Sequence, residues 1–501
     1  MASSAHPPVV IGVDSSTQST KAAVVDRETG RILGTGRAPH TVTGADGARE
    51  SDPGQWWHAL AEAVSAGLKE AGVRAADVTA IAVAGQQHGL VSLDAAGRPV
   101  RPAVLWNDTR SAPQAAALTE VYGADGWLAR TGSVPVASIT ATTWQWLRES
   151  EPSAASATAA LRLPHDYLTE RLAGVAVTDP GDASGTGWYS TATGSYDREI
   201  LQLLHIEEEM LPEVARTGAT RAGALTAAAA TALGLPAGIA VAAGTGDNMA
   251  AAVGLGLGTE GLLDHPVVSL GTSGTVFAAT RARPASPGIN GFAAADGAYL
   301  PLGCTLNCTL AVDKVAELLR LDREDAVPGG AAVLLPYLDG ERTPDLPAAA
   351  GLLTGLRHAT TAQQLLGAAY EGAAFTVLRA LDELLAACGA DPHAPGAATR
   401  PLRLIGGGAK GRTWVETVRR LSGRPVLLPA ATELVALGAA ALAAGAVTEA
   451  DPVAVATSWG AAEAVELPPV ERDLAAWNRI EDVLGEHLLA PAARRGAKLE
   501  P

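Results

Sequence analysis

The chain has 501 residues, 48% hydrophobic and 18% charged, which is apolar enough for roughly two to four folded domains and excludes a disordered protein. Lys and Arg number 37 against 53 Asp and Glu, a formal net charge of −16, and a field of that sign repels phosphate backbones and sets nucleic acid aside as a primary partner. Cys304, Cys308 and Cys388 are too few for a disulfide framework; the first two, whose spacing suits one helix face, read as small buried hydrophobes.

Residues 1–8 carry no basic region and no apolar stretch, so no secretory signal is expected. The longest uncharged run, between Arg221 and Asp247, is rich in Ala, Thr and Gly and contains Pro236, unlike a membrane span. A cytoplasmic protein without membrane contact is the expectation.

In chain order, Val9–Val13 reads as a buried strand, residues 14–20 as a polar turn of small side chains, and 21–25 as a returning strand. Asp52 and Pro53 read as the cap and first residue of a helix. Strands at 78–84 and 240–243 follow. A second strand-turn-strand unit, 267–270, Gly271–Gly274 and 275–279, lies about half a chain from the first and suggests duplication. Residues 362–387 show a long amphipathic helical pattern, 402–405 a strand and 433–446 an alanine-rich helix. The alternation of strands and helices predicts α/β domains. The glycine-rich stretch 254–262 suggests a boundary, giving domains 1–258 and 259–450 and a C-terminal extension 451–501 with a helix near 471–490.

Several motifs carry chemistry. Asp14, at the end of a buried strand and followed by hydroxyl residues, suits hydrated Mg²⁺ and a terminal phosphate, or is simply a hairpin turn. Gln86, Gln87 and His88 between two glycines offer a dense hydrogen-bonding set for a polyol, or form a polar surface loop. Trp106, before a second polar cluster, reads equally as core. Asp247 in GTGDN sits at a strand-to-helix junction, where it is either a general base reaching a hydroxyl or a helix N-cap; both readings stand. Gly271–Gly274 and Gly406–Gly408 each follow a strand and would let backbone amides approach a nucleotide. Only five lysines occur, among them Lys21 and Lys410, beside two of these turns.

In order, GVDSSTQSTK (12–21), GQQHG (85–89), LWNDTR (105–110), GTGDN (244–248), SLGTSG (269–274), LPYLDGERTP (335–344) and LIGGGAKGRTW (404–414) resemble the FGGY family of carbohydrate kinases, most closely its xylulokinase branch. The resemblance covers about residues 9–450. It implies an α/β, two-domain actin-like (ribonuclease H-like) ATPase fold with a central cleft, and ATP-dependent phosphorylation of D-xylulose at its 5-hydroxyl. Other sugars of the family, such as ribulose, glycerol or gluconate, are the alternatives, and a non-catalytic sugar sensor is a further one. By resemblance, Asp247 would be the general base, Asp14 would hold Mg²⁺, and Gln87, His88, Asp247 and Asn248 would contact the ketose. Thr17, Thr272, Gly407 and Gly408 would contact ATP. Gln87 stands where that branch often carries Met. A homodimer is implied by resemblance alone.

Overall fold

The computed structural model describes residues 7–490 apart from 138, 260, 261, 263–265, 285 and 462. Contacts divide the chain into two compact units, one of residues 1–258, 291–300 and 431–463, the other of 259–290, 301–430 and 464–501.

In the first unit, β1 (Val9–Ser15) is buried at every position, as a strand covered on both faces must be. β2 (Ser19–Asp26) returns antiparallel to it and β3 (Ile32–Pro39) pairs with β2. α1 (Pro53–Ala71) starts on Asp52, whose carboxylate accepts the Gly54 amide, and leads to β4 (Val78–Gly85), parallel to β1. α2 (Pro164–Ala173) packs on β4, and the single turn α3 (Pro180–Ala183) follows. β5 (Arg221–Ala224) and β6 (Ala240–Ala242) complete the order β5-β6-β4-β1-β2-β3. Thr245 and Gly246 then pair with the end of β4, which delivers α4 (Asp247–Gly254) to that edge of the sheet. Val9, Ile11 and Val13 pack with Val24, Leu60 and Ile81 in the core.

The units depart from a linear division at 258 and 450. The alanine-rich helix Leu434–Thr448 belongs to the first unit, and backbone proximity is the reason. A Cβ on Gly438 would fall 1.8 Å from the Ala250 carbonyl oxygen, and one on Gly12 would fall 1.9 Å from that of Ala436. This helix therefore lies directly against α4 and β1, a fit that depends on glycine at positions 12 and 438. Nor is the segment after 450 one extension: the helix Pro452–Ser458 lies in the first unit, while a strand at Ala464–Leu467 and a helix at Leu474–Leu484 lie in the second.

In the second unit, β7 (Val267–Leu270) and β8 (Gly274–Phe277) form an antiparallel hairpin, and β9 (Tyr299–Thr305) pairs with β8. α5 (Thr309–Leu319) and the 26-residue α6 (Ala362–Ala387) follow. β10 (Leu402–Ile405) runs parallel to β7, α7 (Arg412–Ser422) comes next, and β11 (Val426–Pro429) runs parallel to β10. The order β9-β8-β7-β10-β11 repeats the β3-β2-β1-β4-β6 arrangement of the first unit, strand direction included. That shared path is the duplication suggested by the two turn motifs. Cys304 and Cys308 are buried, but on β9 and at the position before α5 rather than on one helix face. Among the described residues no single helix is long and apolar enough to cross a membrane.

Candidate active site

Asp14 and Gly85 leave adjacent parallel strands at the same edge, so the Asp14 turn and the Gln86–Gln87–His88 loop emerge side by side. Asp14 is 5% exposed, and its Oδ1 accepts the Ser16 hydroxyl at 2.5 Å. Burial raises its pKa; the Ser16 bond and the Lys21 charge oppose this, and Glu433 adds to it. Lys21 is itself paired to Glu433 at 2.9 Å and is a structural ion pair of this unit. Thr17 accepts the Trp106 indole N–H at 3.0 Å, so Trp106 is more than core filling.

The two readings of Asp247 separate here. The N-cap of α4 is Gly246; Asp247 is the first helical residue, and its Oδ1 accepts from the backbone N (2.8 Å) and Nδ2 (2.9 Å) of its neighbour Asn248. Asn248 Nδ2 also donates to Gln87 Oε1 at 2.9 Å, joining α4 to the loop after β4. Burial first, then the charges of Asp14 and Asp182, push the Asp247 pKa up to about 7, against the two Asn248 bonds. A carboxylate titrating there is matched to general-base work near neutral pH.

His88 has φ +66°, a conformation that costs a non-glycine residue energy and recurs at functional sites. Its Nδ1 lies 2.7 Å from the Gly185 carbonyl, which can only accept, so Nδ1 carries a proton and donates it there, which fixes the plane of the ring. The ring also packs 5.5 Å from Phe292. Gln87 Nε2 and both amide atoms of Gln86 are buried without a hydrogen-bond partner, a surplus that a polyhydroxylated ligand would satisfy.

Asp14, whose charge reaches Asp247, fits a Mg²⁺ ion that takes few protein carboxylates and otherwise waters and phosphate oxygens. Among the described residues no group of three or more His, Cys, Asp or Glu is arranged for an all-protein metal cage.

In the second unit the Gly271–Gly274 and Gly406–Gly408 turns follow the adjacent parallel strands β7 and β10 at the ends where such sheets bind ligands. Thr272 is exposed at the first turn and Gly407 at the second. Gly406 has φ +89°, and a Cβ on Gly408 would lie 2.7 Å from Leu270 Cβ, so the glycines let the two turns touch. The Thr309 hydroxyl donates to the Gly271 carbonyl at 2.8 Å and ties α5 to the first turn. The Glu324 carboxylate accepts the Thr413 amide at 3.1 Å and so occupies the start of α7. An anion beside this motif is therefore left with the turn amides. Glu341, 1% exposed, accepts from the Asn307 amide and side chain and from the Arg342 amide, which fixes the loop leading into α5 and gives LPYLDGERTP a structural task.

Sequence reasoning missed the Thr17–Trp106 bond, Phe292 beside His88, and Asp182 behind Asp247. Asp182 had a signal in the paired aspartates of TDPGD (178–182), but only the fold carries them to α4.

A mixed sheet of this order, present twice in one chain, with acidic turns on one copy and glycine turns on the other, defines an actin-like ATPase fold. Residues 9–254 match the N-terminal domain, and 267–447 the C-terminal domain, of the FGGY family of carbohydrate kinases, and the chain belongs to that family. It is 57% identical over 498 residues to a protein named xylulose kinase from Streptomyces coelicolor, covering 99% of each chain. It is 56% identical over 499 residues to another of that name from Streptomyces rubiginosus, again covering 99% of each. The crystal structure of xylulose kinase from Bifidobacterium adolescentis superposes with a TM-score of 0.80 at 33% identity, over 95% of this chain and 99% of that one.

Proposed function

We propose that the protein transfers the γ-phosphoryl group of ATP to the 5-hydroxyl of D-xylulose. The observation that carries this reading is the buried Asp247, held by Asn248 and pushed up to about 7, beside an unsatisfied polar loop. Near-full-length identity to proteins named xylulose kinase supports the choice of sugar.

Asp247 takes the proton from the attacking hydroxyl as its oxygen bonds to the γ-phosphorus and the bond from that phosphorus to the β,γ-bridging oxygen breaks, releasing ADP. Asn248 keeps that carboxylate oriented through two bonds, and through Gln87 keeps it in register with the sugar loop. His88, Gln87 and Asn248 bind the ketose. Thr17, Thr272, Gly407 and Gly408 bind ATP. Asp14 would hold a Mg²⁺ ion, which when bound would supply charge compensation for the phosphates. Phosphoryl transfer passes through a loose transition state, so positioning and electrostatic stabilisation carry most of the catalysis.

A coupled ADP-release assay across D-xylulose, D-ribulose, L-ribulose, glycerol and gluconate tests the assignment. The expected result is the highest kcat/KM for D-xylulose and little ADP release without sugar. A higher value for any other acceptor reassigns the substrate within the family, and sugar-independent turnover rejects the kinase reading.

A further inference from the structure

Apart from the groups that the proposed reaction uses, the first unit buries a second set of ionisable side chains. His165, the second residue of α2, is 0% exposed. Its Nδ1 lies 2.7 Å from Asp182 Oδ2, and its Nε2 lies 3.3 Å from Asp166 Oδ1 and 4.0 Å from Asp179 Oδ1. Asp166 and both α3-associated aspartates are themselves at most 1% exposed. Three carboxylates removed from water need a cation or protons, and His165 is placed among them to serve as the cation. Burial alone would push His165 down, but Asp166, Asp182 and Asp179 outweigh it and hold the ring up at about 9. Asp166 and Asp179 are raised by burial and drawn back by His165. The other titratable groups facing this set include Tyr189, Tyr196 and Asp247, which couple to Asp179, Asp166 and Asp182 respectively.

Three connections lead from this cluster to the candidate site. Asp179 Oδ2 accepts the Thr245 hydroxyl at 2.7 Å, two residues before Asp247. Asp182 Oδ1 is buried without a hydrogen-bond partner and faces Gly246 and Gln87: a Cβ on Gly246 would lie 3.0 Å from that oxygen and 2.8 Å from Gln87 Cγ. Gly185, just after α3, supplies the carbonyl that orients His88.

We propose that His165 is a positioning residue for phosphoryl transfer, its imidazole bonded to Asp182 and lying 4.0 Å from Asp179 so that the 179–185 segment holds Thr245–Asp247 and His88 in their working places; this rests on the sugar-kinase reading above. Without a cation at 165 the carboxylates repel one another, and relief requires α3 to shift or an aspartate to take a proton. A shift of α3 carries away the Gly185 carbonyl, and protonation of Asp179 alters its grip on Thr245.

The test compares His165→Gln, which keeps a donor and removes the charge, with His165→Lys, which keeps a cation. The Gln variant should lose about tenfold or more in kcat with D-xylulose while its KM for ATP stays within about twofold, and the Lys variant should return to within about threefold of wild-type kcat. Wild-type kcat in the Gln variant, or a Lys variant no more active than the Gln one, overturns the proposal. Circular dichroism monitors folding. If the Gln variant does not fold, the Lys variant decides alone: folded with near-wild-type kcat supports the role, and folded but impaired, or unfolded, overturns it. Wild-type protein in the same assay separates the two levels. Absence of acceptor-dependent ADP release there across the whole sugar panel rejects the sugar-kinase reading, whereas its presence leaves only the role of His165 at stake.

Discussion

The Thr17 hydroxyl accepts the indole N–H of Trp106 at 3.0 Å, across 89 residues of sequence. An indole only donates, so the Thr17 oxygen must accept here, and its own hydrogen is left free to point at a phosphate oxygen. Trp106→Phe keeps the ring and deletes that constraint. One net hydrogen bond is worth about 1 kcal/mol, so KM for ATP should rise about three- to tenfold in steady-state kinetics with stability little changed. An unchanged KM would mean that Thr17 needs no such orientation.

The acid side of the pH profile should report Asp247. Its pKa is pushed up to about 7, and the working form is the deprotonated one, so kcat/KM for the sugar should fall with unit slope as pH drops below that value. A flat profile down to about pH 5.5 would assign the proton to another acceptor.

Stability should respond to pH in the opposite direction through His165. The native pKa, about 9, lies above the unfolded value of 6.5, so the native state binds the proton more tightly. The associated stability is complete below 6.5 and is lost as pH rises through 9. Thermal or urea unfolding of wild type should show this decline over that window, and His165→Gln should flatten it. A wild-type midpoint that rises between pH 6.5 and 9 would contradict a protonated native His165.

Gly438→Ala should destabilise the first unit. The added Cβ would fall 1.8 Å from the Ala250 carbonyl oxygen, and backbone cannot yield as a flexible side chain does. Overpacking of this kind costs about 1–3 kcal/mol, read as a lower denaturation midpoint. An unchanged midpoint would mean that the helix at 434–448 can lift from α4 without cost.

Much of this was legible in the sequence because the signals are local. The β-branched run at 9–13, the Asp52–Pro53 start of α1 and the full extent of α6 each follow from neighbouring residues. The motif turns stood out through their combination and order, since each alone reads as well as a hairpin turn or a surface loop. What escaped depends on long-range contact. The helix at 434–448 has alanine on all sides and no polar face to announce its partner, so only the carbonyl contacts near Gly12 and Gly438 reveal that it belongs with β1 and α4. His165 and Asp182 sit 17 residues apart on different elements, and neither has a sequence neighbour that implies the pairing. Asp247 was ambiguous between base and cap because both roles occupy a strand-to-helix junction. The distinction is made by where the helix starts: Gly246 is the N-cap and Asp247 the first helical residue.

The central claim is tested most directly by kcat of Asp247→Ala in the D-xylulose-dependent ADP-release assay, with circular dichroism as a check on folding. A general base contributes about 10²–10⁴-fold, so a folded variant should lose that much turnover. Turnover close to wild type in the folded variant would contradict the account.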